Sequence, residues 1–414
     1  MKRLFLCILV LALITSFLLG ATSCKYFNML TGKAELKFIS NGDGTCTVVG
    51  YKDLANIYST IKEIEIPSVS PDGERVTIIG EYAFYGYTSL EKITIPNSII
   101  SIQKEAFHHC FKITDISIPD SVSSIDTSAF DQCWKLANIE VSKNNAYYTS
   151  IDGNLYSKDA KTLLKCAIAK IYIDIPDSVT KIDNDAFDDC EKLASVVLSD
   201  GMTSIQREAF EETTNLMSIT ISKNITSIED STFFSCRKIV EIINHSSLNI
   251  RLDSLYSYGD IAKYAIEVHT GKSKLVNQDN YMFYTYGNKN YLVGYAGLDS
   301  HLELPKNYNG QSYTIYDCAF SDCSGIYEIV IPEGITSIGN YSFNMCLLLE
   351  NITIPKSVKS IGNAAFMGCP WLKKVIYEGT TEEWNNISFG VITAFDSISS
   401  KDLEIVCSDG TIKI

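Results

Sequence analysis

Histidine is scarce in this 414-residue chain, with five in all, and His-Glu-x-x-His, Gly-x-Ser-x-Gly and phosphate-loop patterns are missing. Their absence removes the motif-bearing zinc proteases, serine hydrolases and P-loop enzymes as readings. Basic residues are in the minority, 35 against 49 acidic, for a net charge of −14. Nucleic acid and bare anionic lipid are poor partners for such a field. No apolar run beyond the first twenty residues approaches membrane-spanning length. What the chain does have is 46% hydrophobic residues against 20% charged, enough to bury an ample core.

The chain opens Met1-Lys2-Arg3, continues apolar from Leu4 to Leu19, and passes through Gly20-Ala21-Thr22-Ser23 to Cys24. A positive head, an apolar middle and a small-residue zone predict a lipoprotein-type signal peptide over residues 1–23, with Cys24 the lipid-bearing residue. Ala21 stands where lipoprotein signals usually carry Leu, so an ordinary signal cut after Ala21 or Ser23 is the alternative. Loss of Lys2 and Arg3 with the signal leaves 33 basic against 49 acidic side chains, a net charge of −16. Eleven of the 13 cysteines then remain in the folded part, an odd number that argues against a complete disulfide framework.

A repeat organises the rest. Phe84, Phe107 and Phe130 are spaced by 23 residues, as are Phe187, Phe210 and Phe233, and Phe320, Phe343 and Phe366. Isoleucine stands five residues before every one of them, and an aliphatic six residues after. The unit reads Ala-Phe-x-x-Cys-x-x-Leu-x-x-Ile-x-Ile-Pro-x-Ser-Val-x-x-Ile, as in Ala106 to Ile125. Leu-x-x-Ile-x-Ile has strand spacing, while the Ala-Phe-x-x-Cys-x-x-Leu stretch suits a short helical turn. The expected fold is an α/β repeat solenoid whose coils bury their apolar edges against the coils on either side.

These units resemble the BspA-like, treponemal-type leucine-rich-repeat family of bacterial surface proteins. The resemblance rests on Ala106 to Ile125, Ala129 to Leu136 and Ile354 to Leu372, and covers most of residues 37 to 390. It implies a surface protein that adheres to host matrix proteins or to other cells. The stretch Ile376 to Trp384 likewise resembles the family's terminal coil, expected to shield the last apolar edge.

Two stretches break the rhythm and read as β-hairpin insertions. The first, 144–165, holds the turn pair Asp152-Gly153; the second spans 244–312. The expected organisation is therefore a signal at 1–23, a linker at 24–36, a cap and first array at 37–243, an insert and second cap at 244–312, and a second array with its cap at 313–414.

Seven repeat phenylalanines are followed at the third residue by cysteine: Cys110, Cys133, Cys190, Cys236, Cys323, Cys346 and Cys369. Stacked in line, their Cβ atoms would stay near the ~4.8 Å coil spacing, too far for a relaxed disulfide, and a linear series cannot close a tetrahedral metal shell. Core thiols are expected, with no metal and no cofactor. Binding residues are sought elsewhere. Thr94, Ser117, Thr220 and Thr353 hold outward strand positions and would form a flat, weakly charged strip. Tyr281, Phe283, Tyr284, Tyr286, Tyr291 and Tyr295 concentrate aromatics in the second insert, where alternation would expose half of them to a glycan or peptide. The expected function is non-catalytic: adhesion or protein binding at the cell surface, anchored in the membrane through Cys24. A glycan-binding surface lipoprotein is the alternative, and a hydrolase the remote one.

Overall fold

A computed structural model describes residues 35–51, 60–252, 258–392, 394–395 and 403–413. The signal segment and Cys24 lie outside the described residues. The chain divides into two compact units, Met1–Ser150 and Ile151–Ile414.

In the first unit, the antiparallel hairpin Leu36–Ser40 and Thr45–Tyr51 opens a sheet that continues in parallel through Arg75–Ile79, Ser101–Ile102 and Ser124–Ile125. Glu63–Glu65 pairs with Lys92–Thr94, and Asp115–Ile118 with Asn138–Val141. Each coil thus contributes one strand of three or four residues and a second strand, which is Arg75–Ile79 in the first coil and a short Ser-Ile pair in the next two. Ile102 pairs with Ile125 and Ile116 with Ile139, so the register is the repeat length itself. Side chains alternate as the pleat requires: Ile116 and Ile118 are buried, Asp115 and Ser117 exposed. Gly50 closes the cap with φ +100, where an added Cβ would stand 2.4 Å from the Ala83 carbonyl oxygen. Gly50→Ala should therefore cost at least about 1 to 3 kcal/mol, read as a lower urea midpoint, since both the backbone conformation and a fixed neighbour oppose it.

The second unit repeats the scheme. Tyr172–Asp174, Ser195–Val197, Ser218–Ile221, Glu241–Asn244 and Glu267–His269 form one parallel sheet. His301–Glu303, Glu328–Val330, Asn351–Ile354, Lys374–Tyr377 and Glu404–Cys407 form another, ended by the antiparallel strand Gly410–Lys413. The helix Thr381–Asn385, fixed by a Thr380–Glu383 capping box, lays buried Trp384 against Tyr377 at 5.3 Å between ring centroids. The array continues past this segment, since Lys374–Tyr377 pairs in parallel with Glu404–Cys407.

Repeat phenylalanines stack along each array, with Phe84 and Phe107 at 5.6 Å, Phe210 and Phe233 at 5.3 Å, and Phe343 and Phe366 at 5.3 Å. Phe395 extends the last stack at 5.2 Å although it stands off the 23-residue phase.

The segment around each Phe departs from the expected helical turn. It is a run of turns, with one four-residue 3-10 helix at Thr127–Phe130 among the nine repeats. The residue two after every repeat Phe has positive φ, among them Gly86, His109, Gln132, Glu212 and Met345. A left-handed residue cannot continue a right-handed helix. The freed N–H groups turn to the next coil: Phe107 N donates to Ala129 O at 2.8 Å, and Phe343 N to Ala365 O at 2.8 Å. This segment is therefore a further ladder of inter-coil hydrogen bonds, and among the described residues the solenoid is built from strand and turn with almost no helix.

Cysteine has its place in that ladder. Cys110 Sγ donates to Phe84 O at 3.2 Å, Cys133 Sγ to Phe107 O at 3.2 Å, and Cys369 Sγ to Phe343 O at 3.0 Å, each reaching back one coil. Two of those carbonyls also accept the backbone N–H three residues on in their own coil, Phe107 O from Cys110 N at 3.1 Å and Phe343 O from Cys346 N at 3.4 Å. Burial pushes the Cys110 thiol up to about 12, so it remains a protonated donor at neutral pH. Native protein exposed to iodoacetamide at neutral pH should therefore leave Cys110, Cys133, Cys346 and Cys369 unmodified until denaturant is added. Native labelling of Cys110 would contradict this placement.

Candidate functional site

The outward strand positions lie in separate sheets of the two units. Thr94 and Ser117 are exposed in the first unit, and Thr220 and Thr353 half-buried in the second. Register places Thr94 beside Glu65, Thr220 beside Val197, and Thr353 between Val330 and Ile376. Ile243, next in line after Thr220, is buried. A shallow hollow borders the strip of the second array, lined by Ser300, His301, Tyr327, Glu328, Glu350 and Asn351.

The aromatic insert is placed differently from expectation. Tyr281, Phe283, Tyr284 and Tyr295 are buried, Tyr291 is half-buried, and Tyr286 alone of the six is exposed. The hairpin Tyr281–Tyr286 and Lys289–Tyr295 is covered on both faces. Phe283, Leu292 and Tyr295 join the core of the following array, where Phe283 stacks on Tyr308 at 4.3 Å. Met282, Tyr284 and Val293 pack on Ala194, Met217 and Val240 of the preceding coils. Gly294 leaves room for the tip of Met217, which occupies the space a Cβ would take. Side chains sealed in this way cannot touch a partner, so of the six aromatics Tyr286, with Tyr291 at its flank, is left for contact.

The insert is held by a polar network that its sequence did not reveal. Glu241 is fully buried and accepts from Ser218 Oγ at 2.5 Å, Ser273 Oγ at 2.6 Å and Lys274 N at 2.7 Å, with His269 Nε2 at 3.1 Å. His269 Nδ1 accepts from Gly271 N at 2.9 Å. Serine, histidine and carboxylate meet here, yet both serines bond the carboxylate and both imidazole nitrogens are spent, leaving no base directed at a hydroxyl. The cluster pins residues 269–274 to the end of the coil.

Beside it, Glu267 Oε2 accepts from Lys274 Nζ at 2.6 Å and Tyr284 Oη at 2.9 Å. Burial works against the Glu267 carboxylate, but these hydrogen bonds outweigh it and hold its pKa below the ordinary 4.5. A depressed carboxylate stabilises the fold above its unfolded pKa and loses that contribution as pH falls through the folded value. The stability gap between wild type and Glu267→Gln, read as urea midpoints, should accordingly be present at about pH 7 and close by about pH 3. A gap that persists in acid would contradict the assignment.

A second surface went unremarked in the sequence although its spacing was there to read. Tyr85 and His108, 23 residues apart, stack at 5.1 Å; Phe111 and Trp134, also 23 apart, stack at 4.3 Å. His109 bridges the pairs, 5.2 Å from Tyr85 and 5.4 Å from Phe111. With exposed Tyr82 they make a ridge of six rings across successive coils of the first unit. The repeat's packing does not require it. Among the described residues, no group of three or more metal-ligating side chains stands together, and no helix is long and apolar enough to cross a membrane.

The model of the BspA type leucine rich repeat region, in six copies, matches residues 54–170, 159–285 and 300–406. The chain belongs to this family. Solved structures with similarity include a leucine rich cell surface protein from Faecalibacterium prausnitzii A2-165, 22% identical over 85% of this chain and 96% of that one, with a TM-score of 0.29. A leucine-rich repeat protein from Bacteroides ovatus ATCC 8483 is 20% identical over 90% and 98% of the two chains, with a TM-score of 0.37. The leucine rich repeat protein of T. pallidum is 23% identical over 52% and 80%, with a TM-score of 0.28. No curated protein matches the chain. The BspA-type repeat accounts for the 23-residue coil and for its buried Phe, Ile and Cys positions, and such solenoids serve as scaffolds for protein interaction.

Proposed function

We propose that this BspA-type solenoid is a non-catalytic cell-surface lipoprotein that binds a protein partner along its strand strip. The observation that carries the reading is the contrast within each strand: inward positions sealed in the core, outward ones exposed at Thr94 and Ser117 or half-buried at Thr353, small and weakly charged. Such a surface offers an extended partner a flat contact with little side-chain entropy to lose. Tyr286 adds an exposed aromatic contact from the hairpin tip.

The six-ring ridge of the first unit, exposed at Tyr82 and Tyr85 and half-buried at its other four rings, favours a second reading, capture of a glycan. A panel of immobilised host matrix proteins set beside a glycan array separates the two. Saturable binding to a protein is expected. Binding to sugars alone, lost in a Tyr85→Ala, Trp134→Ala double variant, would overturn the protein reading.

Anchoring is the second part of the proposal. Cys24 follows an apolar signal and small residues, and acyl chains there would hold the mature chain at the membrane. Cys24→Ala should move the protein from the membrane fraction to the medium; unchanged membrane association would refute lipidation.

A further inference from the structure

Two side chains that neither surface uses meet on adjacent coils of the second unit. Asn215 stands five residues after Phe210 and Lys238 five after Phe233, so the repeat stacks them. Both are buried, Lys238 to 3% exposure and Asn215 to 5%. The Lys238 ammonium donates to Asn215 Oδ1 at 2.9 Å, and Asn215 Nδ2 donates to the Tyr295 carbonyl at 3.0 Å. The carboxamide is thereby fixed with its oxygen toward the lysine. A buried ammonium is costly to keep, and one amide oxygen offsets little of that cost. Glu191, from the coil before, lies within electrostatic reach of Lys238; it keeps an exposed flank, yet desolvation and the nearby charges of Asp189 and Asp322 raise its proton affinity.

We propose that Lys238 and Asn215 join in a spontaneous intramolecular isopeptide bond, with Glu191 carrying the proton. The ammonium first gives one proton to the Glu191 carboxylate, and the amine lone pair then attacks Asn215 Cγ from the face of the carboxamide. As the carbonyl π bond opens, the oxygen draws on the Glu191 proton. Collapse re-forms the carbonyl, hands the oxygen's proton back through Glu191 to Nδ2 and breaks the Cγ–Nδ2 bond. The leaving nitrogen takes up the lysine protons and departs as ammonium, so that one ammonium and one primary amide become one secondary amide and one free ammonium ion. Nothing outside the chain is consumed. The product ties two neighbouring coils beneath the packed hairpin and removes the buried charge.

Peptide mass spectrometry of the folded, full-length protein tests this directly. The expected digest contains a branched peptide joining the Lys238 and Asn215 segments, lighter than the two linear peptides together by one ammonia. Lys238→Arg keeps the charge and a donor for Asn215 but cannot form the bond, and should give only linear peptides while folding normally. Glu191→Gln should lower the branched fraction; an undiminished fraction would remove Glu191 from the step. Wild-type digests that yield Lys238 and Asn215 unmodified in separate linear peptides would overturn the proposal.

Discussion

Phe343→Ala should destabilise the second unit by about 3 to 5 kcal/mol, the range for deleting a large ring from a packed core. Phe343 is completely buried and stacks on Phe320 and Phe366, each at 5.3 Å. Its loss opens a cavity and breaks two ring contacts at once. The backbone bonds of this position, Phe343 N to Ala365 O and Phe343 O from the Cys369 thiol, use groups that alanine retains, so the loss is that of the ring. Stability in a solenoid passes between neighbouring coils, so the damage should spread in both directions. Calorimetry should show either one transition at a much lower midpoint or the appearance of a second transition. A variant within about 1 kcal/mol of wild type would mean that the ring stack is not the spine of the array.

Tyr284→Ala should be the other severe change, at about 3 kcal/mol or more, whereas Tyr286→Ala two residues away should stay within about 0.5 kcal/mol. Tyr284 is fully buried against Ala194, Met217 and Val240, and its hydroxyl donates to Glu267. Tyr286 is 45% exposed at the hairpin tip. The contrast separates a packing role for the insert from a contact role. Equal, small effects on stability at both positions would restore the aromatic platform that the sequence suggested.

The coil length, the strand register and the burial of Phe, Ile and Cys could all be read from spacing, because each follows from a residue recurring in one phase. Ile102 pairs with Ile125 as that phase requires. The turn around Phe was harder to read. Ala, Phe, Cys and Leu recur at intervals a helix also satisfies, and the left-handed position after Phe is held by His109, Gln132, Glu212 or Met345 as well as by Gly86 and Gly368. With glycine at only two of the nine, composition did not announce the conformation. In the insert, alternation was taken to leave one face wet. The segment Tyr281-Met282-Phe283-Tyr284 is instead apolar on both sides, as a strand buried on both faces should be. Its receptor was also visible, since Ala194, Met217 and Val240 hold a phase where Glu91, Glu350 and Lys373 stand in other coils. The buried Glu241 network carried little such signal: Ser218 stands one repeat before Glu241, but His269, Ser273 and Lys274 come from a strand and a loop at spacings the repeat does not set.

The proposed role of the strip rests on its outward positions, exposed at Thr94 and half-buried at Thr220 and Thr353. The most direct measurement compares wild type, a Thr94→Arg, Thr220→Arg, Thr353→Arg triple variant and a Tyr85→Ala, Trp134→Ala double variant for binding to the same panel of immobilised matrix proteins. Binding that is saturable in wild type, lost in the strip variant with its urea midpoint unchanged, and retained in the ridge variant is the predicted result. Full binding by the strip variant would contradict the account.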